Sequence, residues 1–173
     1  GRAIDDYMHP DRIVVGGIDG RSTEKLLELY KGFDCPVLRT NPKTAEMVKY
    51  ATNSFLVTKI SFINEIGNIC KSLGIDVYDV AKGVGMDSRI SPHFLNAGIG
   101  FGGSCFPKDV KALVGKAKEF YYRPILLNAA LEVNEAQPLR LVELLEHRTG
   151  PLEGVDVVVL GLAFKPGTDD MRE

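Results

Sequence analysis

Asn41-Pro-Lys-Thr-Ala-Glu-Met-Val-Lys-Tyr-Ala-Thr-Asn-Ser-Phe-Leu-Val-Thr-Lys-Ile-Ser-Phe-Ile-Asn-Glu-Ile-Gly-Asn-Ile-Cys-Lys-Ser-Leu-Gly74 is the stretch on which the fold turns. Asparagine is a favoured N-cap and proline a favoured first helical residue, so a helix is expected to start at Asn41-Pro42. Val48, Ala51, Phe55, Phe62, Ile66, Ile69 and Leu73 recur at helical spacing, with Leu56, Ile60, Ile63 and Cys70 widening the stripe, until Gly74 supplies a stop. About 32 residues at 1.5 Å each give a helix of roughly 48 Å, longer than a small domain is wide. So broad an apolar face asks for more partner surface than the rest of the chain offers, and a homodimer through this helix is the expectation.

Outward from the helix the period changes. On the N-terminal side, Arg12-Ile-Val-Val-Gly-Gly17 reads as a short buried strand, Ser22 to Tyr30 as a helix, and Cys35-Pro-Val-Leu-Arg39 as a second strand. Strand, helix, strand is the end of an α/β domain. On the C-terminal side, helices are expected over Asp76 to Lys82, Pro107 to Tyr121 and Pro124 to Glu135. Pro138 should break or kink the last of these before Leu139 to His147. Gly154-Val-Asp-Val-Val-Val-Leu-Gly-Leu162 then has the pattern of a buried strand opening another α/β domain. The predicted fold is a mainly α central domain, with one long dimerisation helix and several shorter ones. Remnants of an N-terminal α/β domain and the first strand of a C-terminal one flank it. Boundaries fall at 1–40, 41–136 and 137–173, and the sequence reads as a fragment of something longer.

Composition narrows the function classes. The 173 residues carry 21 Lys and Arg against 23 Asp and Glu, a formal net charge of −2, so no basic field is available for nucleic acid or an anionic membrane. The apolar runs are short for a spanning helix, and no leader-like opening precedes them; a cytoplasmic location is expected. Cys35, Cys70 and Cys105 are too few and too far apart for a disulfide framework or a Cys-x-x-Cys metal site, and no metal is expected.

The stretch that carries chemistry is Gly98-Ile-Gly-Phe-Gly-Gly-Ser-Cys-Phe-Pro-Lys-Asp109. Its four glycines let backbone amides approach a ligand closely, which suits a phosphate or sugar cradle. Pro107 as a first helical residue puts Cys105 just before a helix N-terminus, where the dipole and Lys108 would lower a thiol pKa. Asp109 lies one turn further on, within reach of a water or a proton. A buried cysteine in a glycine-rich turn is the alternative, since free Cys is among the most buried residue types. The three histidines, His9, His93 and His147, sit in no recognisable protease setting. A thiol without an obvious base suits attack on an aldehyde, giving a thiohemiacetal whose hydride can pass to a nicotinamide, followed by thioester hydrolysis.

Gly100-Phe-Gly-Gly-Ser-Cys-Phe-Pro-Lys-Asp109 closely resembles the catalytic motif of the nucleotide-sugar 6-dehydrogenases, the UDP-glucose/GDP-mannose dehydrogenase family, and its UDP-glucose branch in particular. Three further segments are similar to the same family in the same order: Asn41 to Asn53, Gly85-Met-Asp-Ser-Arg-Ile90, and Gly161-Leu-Ala-Phe-Lys-Pro-Gly-Thr-Asp-Asp-Met-Arg-Glu173. The resemblance implies an N-terminal NAD-binding Rossmann domain, a helical central domain that dimerises and a C-terminal domain that binds the UDP portion. It implies NAD as cofactor, UDP-glucose as substrate, and a four-electron oxidation to UDP-glucuronate through a Cys105 thiohemiacetal and thioester.

By the same resemblance Cys105 is the nucleophile, Lys49 and Asn53 stabilise the developing oxyanion and position the water, and Asp109 is the acidic partner. Phe101, Gly102 and Gly103 match the loop that holds the sugar nucleotide, and Arg89 an Arg that reaches the neighbouring subunit's substrate. Lys165 matches a substrate-binding Lys, while Lys108 and Arg172 match residues near NAD. Taken singly, Lys49 and Asn53 read from spacing alone more readily as a solvated helix face, and Arg89, Lys165 and Arg172 as ordinary surface cations; only the joint pattern lifts them. The departure is the missing Gly-x-Gly-x-x-Gly turn: Gly161-Leu-Ala-Phe-Lys-Pro has one glycine where several are needed. This chain alone is therefore expected to be inactive. Two other readings stay open: a GDP-mannose or UDP-N-acetylhexosamine 6-dehydrogenase, and a helical dimerisation module without chemistry of its own.

Overall fold

The computed structural model describes residues 3–172, which fall into two compact units meeting in the sequence between Thr52 and Asn53. In the first unit, α1 (Ala3–Met8) precedes β1 (Ile13–Gly16), α2 (Gly20–Tyr30) and β2 (Val37–Thr40). The strands pair in parallel, Ile13 opposite Val37 and Gly16 opposite Thr40, with α2 as the crossover that parallel strands require. Asp19 starts α2 by accepting a hydrogen bond from Ser22 N at 2.7 Å. Gly16 lies where β1 passes the following helix: a Cβ there would stand 2.7 Å from the Ala45 methyl, so only glycine fits.

The long helix α3 (Pro42–Leu73) runs the full 32 residues expected. Asn41 Oδ1 accepts from Thr44 N at 2.9 Å, which is the cap its position predicts. At the other end Gly74 adopts φ +69°, Ile75 N donates to Cys70 O at 2.9 Å and Gly74 N to Lys71 O at 3.4 Å. That is a Schellman closure of the last turn. Asp76, two residues later, accepts from Tyr78 N at 2.8 Å and opens α4 (Val77–Gly85).

The second unit packs α3 from Asn53 onward with α4, α5 (Phe106–Glu119) and α6 (Ile125–Thr149). One core cluster joins Val57, Phe101, Val110, Val114 and Ala130; another joins Ile63, Ala81 and Leu95. Burying side chains such as Val57 and Val110 contributes about 1.5–3 kcal/mol apiece. The face that α3 turns inward differs from the apolar stripe of its sequence: Ser54, Val57, Ser61, Ile63, Asn64, Gly67 and Cys70 are buried. Small and polar residues allow close helix approach. Ser61 Oγ donates to Ala130 O on α6 at 2.7 Å, and a Cβ on Gly67 would stand 3.3 Å from the Ala97 methyl. Phe55, Phe62 and Ile69, seven residues apart, remain 65%, 50% and 51% exposed.

Two expectations need correction. Of the break or kink expected at Pro138, the break does not occur: α6 continues through it to Thr149, although proline has no N–H to donate to the Asn134 carbonyl. The run 154–162 forms no strand. A strand needs a neighbour's ladder, and among the described residues nothing pairs with it, which leaves Val158 and Leu160 81% and 94% exposed. The fold class is as expected, mostly helical with a small parallel sheet.

Candidate active site

The loop between α4 and α5 is held mainly by side-chain amides. Asn64 Oδ1 accepts from Gly98 N at 2.8 Å, and Gln137 Nε2 donates to Gly98 O at 2.7 Å. Asn68 Nδ2 in turn donates to Gln137 Oε1 at 2.7 Å. Asn134 grips Phe101 on both sides, accepting from its N–H at 2.6 Å and donating to its carbonyl at 3.1 Å. A loop without a neighbouring strand must satisfy its peptide groups in some such way. The amides of Gly98 and Phe101, expected to face a ligand, therefore donate to protein. So does that of Gly103, to Arg172 O at 3.0 Å.

The Phe101 ring is a core residue, edge-on to Phe106 with centroids 6.3 Å apart. Gly102 is half-buried, and Gly103 has φ +76° with the Phe164 ring so close that a Cβ would meet it at 2.8 Å. Beside Gly102 a cavity of about 460 Å³ opens between the loop, Pro107 and Lys111 of α5, Asn134 of α6 and Phe164. That is within the range of small-ligand pockets.

Cys105 is exposed and stands at the N-cap position of α5, with φ −87° and ψ −53° and no side-chain cap bond. Its thiol is thus uncommitted to the helix start; the Ser104 hydroxyl lies 3.8 Å from Sγ. One turn on, Asp109 is 3% exposed and its carboxylate is bracketed: Asn53 Nδ2 donates to Oδ2 at 2.6 Å and Lys108 Nζ lies 2.8 Å from Oδ1. Buried carboxylates require such partners. Spacing along the chain pairs Asn53 with Lys49; the structure adds a direct hydrogen bond between Asn53 and Asp109, 56 residues apart. Lys49 lies one turn earlier on α3, in the first unit, and is exposed.

The remaining candidates are dispersed. Arg89 is exposed and forms a fork with Asp87, 2.6 Å at Nη2, which lowers the Asp87 pKa and raises that of Arg89. Lys165 lies 5.3 Å from the centre of the Phe164 ring. Arg172 forks onto Asp170 at 2.9 and 3.0 Å; those bonds hold the Asp170 carboxyl down at about 2 and raise the Arg172 pKa. Sequence reasoning missed Asn134, Asn64 and Gln137, whose signal is an amide recurring in the apolar phase of two helices. It also missed Lys59, whose Nζ donates to Ile90 O at 2.9 Å and Ser91 O at 3.2 Å. No three His, Cys, Asp or Glu among the described residues gather as metal ligands. No helix among them is long and apolar enough to cross a membrane.

The chain thus joins a βαβ unit to a set of helices that carry an exposed cysteine beside a clamped glycine loop. The sequence profile of the UDP-glucose/GDP-mannose dehydrogenase family, central domain, matches residues 43–136, more than half of the chain, and the chain belongs to that family. It is 48% identical to the UDP-glucose 6-dehydrogenase AglM of Haloferax volcanii, across 100% of this chain and 41% of that protein. It is 51% identical to TuaD of Bacillus subtilis, also a UDP-glucose 6-dehydrogenase, across 99% and 37%. A UDP-glucose dehydrogenase structure from Pyrobaculum islandicum superposes with a TM-score of 0.96 at 51% identity, covering 99% of this chain and 40% of that one. A UDP-D-ManNAc dehydrogenase from Pyrococcus horikoshii gives 0.86 at 32% identity, over 99% and 41%. The chain thus spans about two fifths of the length of these relatives.

Proposed function

We propose that the protein serves the NAD-dependent, four-electron oxidation of UDP-glucose to UDP-glucuronate, with Cys105 as nucleophile. The observation that carries the reading is the exposed, uncapped Cys105 at the start of α5, one turn from the buried Asp109 and its bond to half-buried Asn53. The UDP-glucose names of the relatives nearest half identity favour this substrate over GDP-mannose or a UDP-N-acetylhexosamine.

In this reading Sγ of Cys105 adds to the C6 aldehyde of the sugar to give a thiohemiacetal. After oxidation to the thioester, water adds to the carbonyl and the thiolate leaves, releasing the carboxylate. Lys49 and Asn53 would face the oxyanion that develops in both additions. Asp109 would take the proton of the attacking water, and its bond to Asn53 aims both groups. The loop of Phe101, Gly102 and Gly103 shapes the cavity that receives the sugar, and Lys165 supplies a cation for the diphosphate. Arg89 would serve the neighbouring subunit's substrate.

Bound NAD would accept the hydrides. The described residues do not fit it. Asp19 places a carboxylate on the N-terminus of α2, where a pyrophosphate needs open amides and no anion. Lys108 and Arg172, its expected neighbours, are each paired with a carboxylate. The isolated chain is expected to be inactive. The exposed line of Phe55, Phe62 and Ile69 supports a homodimer through α3. Sedimentation as a monomer at micromolar concentration would refute that part.

The test is NADH formed per UDP-glucose by the full-length protein and its Cys105→Ala variant. Two NADH per sugar, abolished in the variant, is the expected result. Turnover of GDP-mannose or a UDP-N-acetylhexosamine in preference to UDP-glucose would overturn the substrate assignment, and an unaffected variant would overturn the nucleophile.

A further inference from the structure

We propose that Asn134 is a positioning residue for the reaction, acting through the glycine loop, to which both polar groups of its side-chain amide are committed although it borders the loop cavity. The inference rests on the functional reading above and deepens it. One side-chain amide captures both polar groups of a single residue: Asn134 Oδ1 receives the Phe101 N–H at 2.6 Å and Nδ2 donates to the Phe101 carbonyl at 3.1 Å. Two hydrogen bonds of opposite sense fix direction as well as distance, as a neighbouring strand would.

The surroundings are built to this contact. Gly100 holds φ +112°, and a Cβ there would lie 2.6 Å from Asn134 Oδ1, so the loop closes on the amide as only glycine can. Pro138, four residues beyond Asn134 on α6, leaves the Asn134 carbonyl without its helical donor on the side where Gly100 approaches: that hypothetical Cβ would be 3.5 Å from it. Three residues upstream, Gly98 is gripped in the same double fashion by Asn64 at 2.8 Å and Gln137 at 2.7 Å. Asn64 and Gln137 are 1% and 3% exposed, and Asn64 Nδ2 is buried with no hydrogen-bond partner among the described residues. A packed helix pair tolerates such an orphan only where the rest of the side chain is needed.

Both grips hold the chain before it reaches the chemistry. Between Phe101 and the first residue of α5 lie only Gly102, Gly103, Ser104 and Cys105, so the position of Phe101 is inherited by the thiol with little slack. The Phe101 ring is locked in the core against Phe106, the residue after Cys105. Asn134 therefore sets where Sγ stands relative to the Asn53–Asp109 pair. Its loss is felt in kcat and in thiol exposure more than in substrate affinity.

The experiment compares Asn134→Ala and Asn134→Asp with the parent in the full-length protein. It reads kcat and KM for UDP-glucose, the melting temperature, and the iodoacetamide reaction rate of Cys105 relative to Cys35. Asn134→Ala should lower kcat by at least about tenfold with KM changed less than about threefold, because a displaced nucleophile forfeits orientation. It should also alter the Cys105 to Cys35 ratio by about threefold or more. Asn134→Asp, which keeps the acceptor for the Phe101 N–H and loses the donor, should fall between. A lower melting temperature with unchanged kcat and an unchanged alkylation ratio would mean a purely structural residue and overturn the proposal. If the parent does not oxidise UDP-glucose, the functional reading fails, and the alkylation ratio alone decides for or against Asn134. If Asn134→Ala does not fold, the ratio in Asn134→Asp decides in the same way.

Discussion

Replacing Asn53 with alanine strips a hydrogen-bond partner from the buried carboxylate of Asp109. The bond removed is short, 2.6 Å, and its acceptor sits on a residue only 3% exposed, so water does not simply replace the amide. Hydrogen bonds to charged groups contribute about 1.5–3 kcal/mol each. At about 2–4 °C per kcal/mol for a protein of this size, Asn53→Ala should lower the melting temperature by about 3–12 °C. The companion variants Asp109→Ala and Asn53→Ala/Asp109→Ala complete a double-mutant cycle, read by thermal or urea unfolding. The coupling energy should be about 1–2 kcal/mol, since the lost bond is counted once in the double variant and twice in the sum of the singles. A melting shift under about 1 °C for Asn53→Ala, or a coupling within the usual additivity error of about 0.5 kcal/mol, would refute the claim that the two residues form a mutually dependent unit.

Gly103→Ala must strain a backbone at φ +76° and drive a methyl into the Phe164 ring 2.8 Å away. It should lower stability by about 1–3 kcal/mol and speed proteolysis of the 163–172 segment, whereas unchanged protection would contradict the packing described. The Asp170 carboxyl is held at about 2 by the Arg172 fork, below its usual 3.8. Its folded pKa is depressed, so the stabilising contact is complete above about 4 and is lost as pH falls through about 2. In Arg172→Ala the Asp170 midpoint, followed by carbonyl-carbon NMR, should move up toward 3.8; a midpoint still near 2 would leave the fork irrelevant. Phe62→Asp, on the exposed line of α3, should convert a sedimenting dimer to monomer without lowering the melting point of the monomeric unit, and an unaffected dimer would place the interface elsewhere.

Local chemistry made part of the fold legible. Asn41, Pro42 and Gly74 mark the ends of α3 because caps and stops depend on residues within a turn of one another. The strand–helix–strand of the first unit follows from period and punctuation in the same way. What periodicity could not disclose is which face of α3 turns inward. The stripe argument asks for partner surface over Phe55, Phe62 and Ile69 without saying which residues the chain itself covers; close approach to α6 selects Ser61, and contact with Ala97 selects Gly67. The run 154–162 looked like a strand because its residues favour one, but a strand is defined by its neighbour. At the site, the spacing of Cys105 and Asp109 was readable because both lie in one turn of α5. The grip of Asn134 on Phe101 crosses 33 residues, so helical phase can flag the amide but not name its partner, and a proline four residues later argued for a break or kink rather than a contact.

The corner between α3 and α4 has a mechanical consequence. Gly74 and Ile75 complete the closure of one helix, and Asp76 immediately caps the next, so every residue of the connection already has a backbone task. The corner is an elbow with no play. Adding or deleting one residue there would rotate α4 by about 100° about its axis and turn Ala81 away from Ile63 and Leu95. Length variation among proteins sharing this fold should therefore avoid the 74–76 corner altogether, even though it lies on the surface where loops ordinarily grow and shrink.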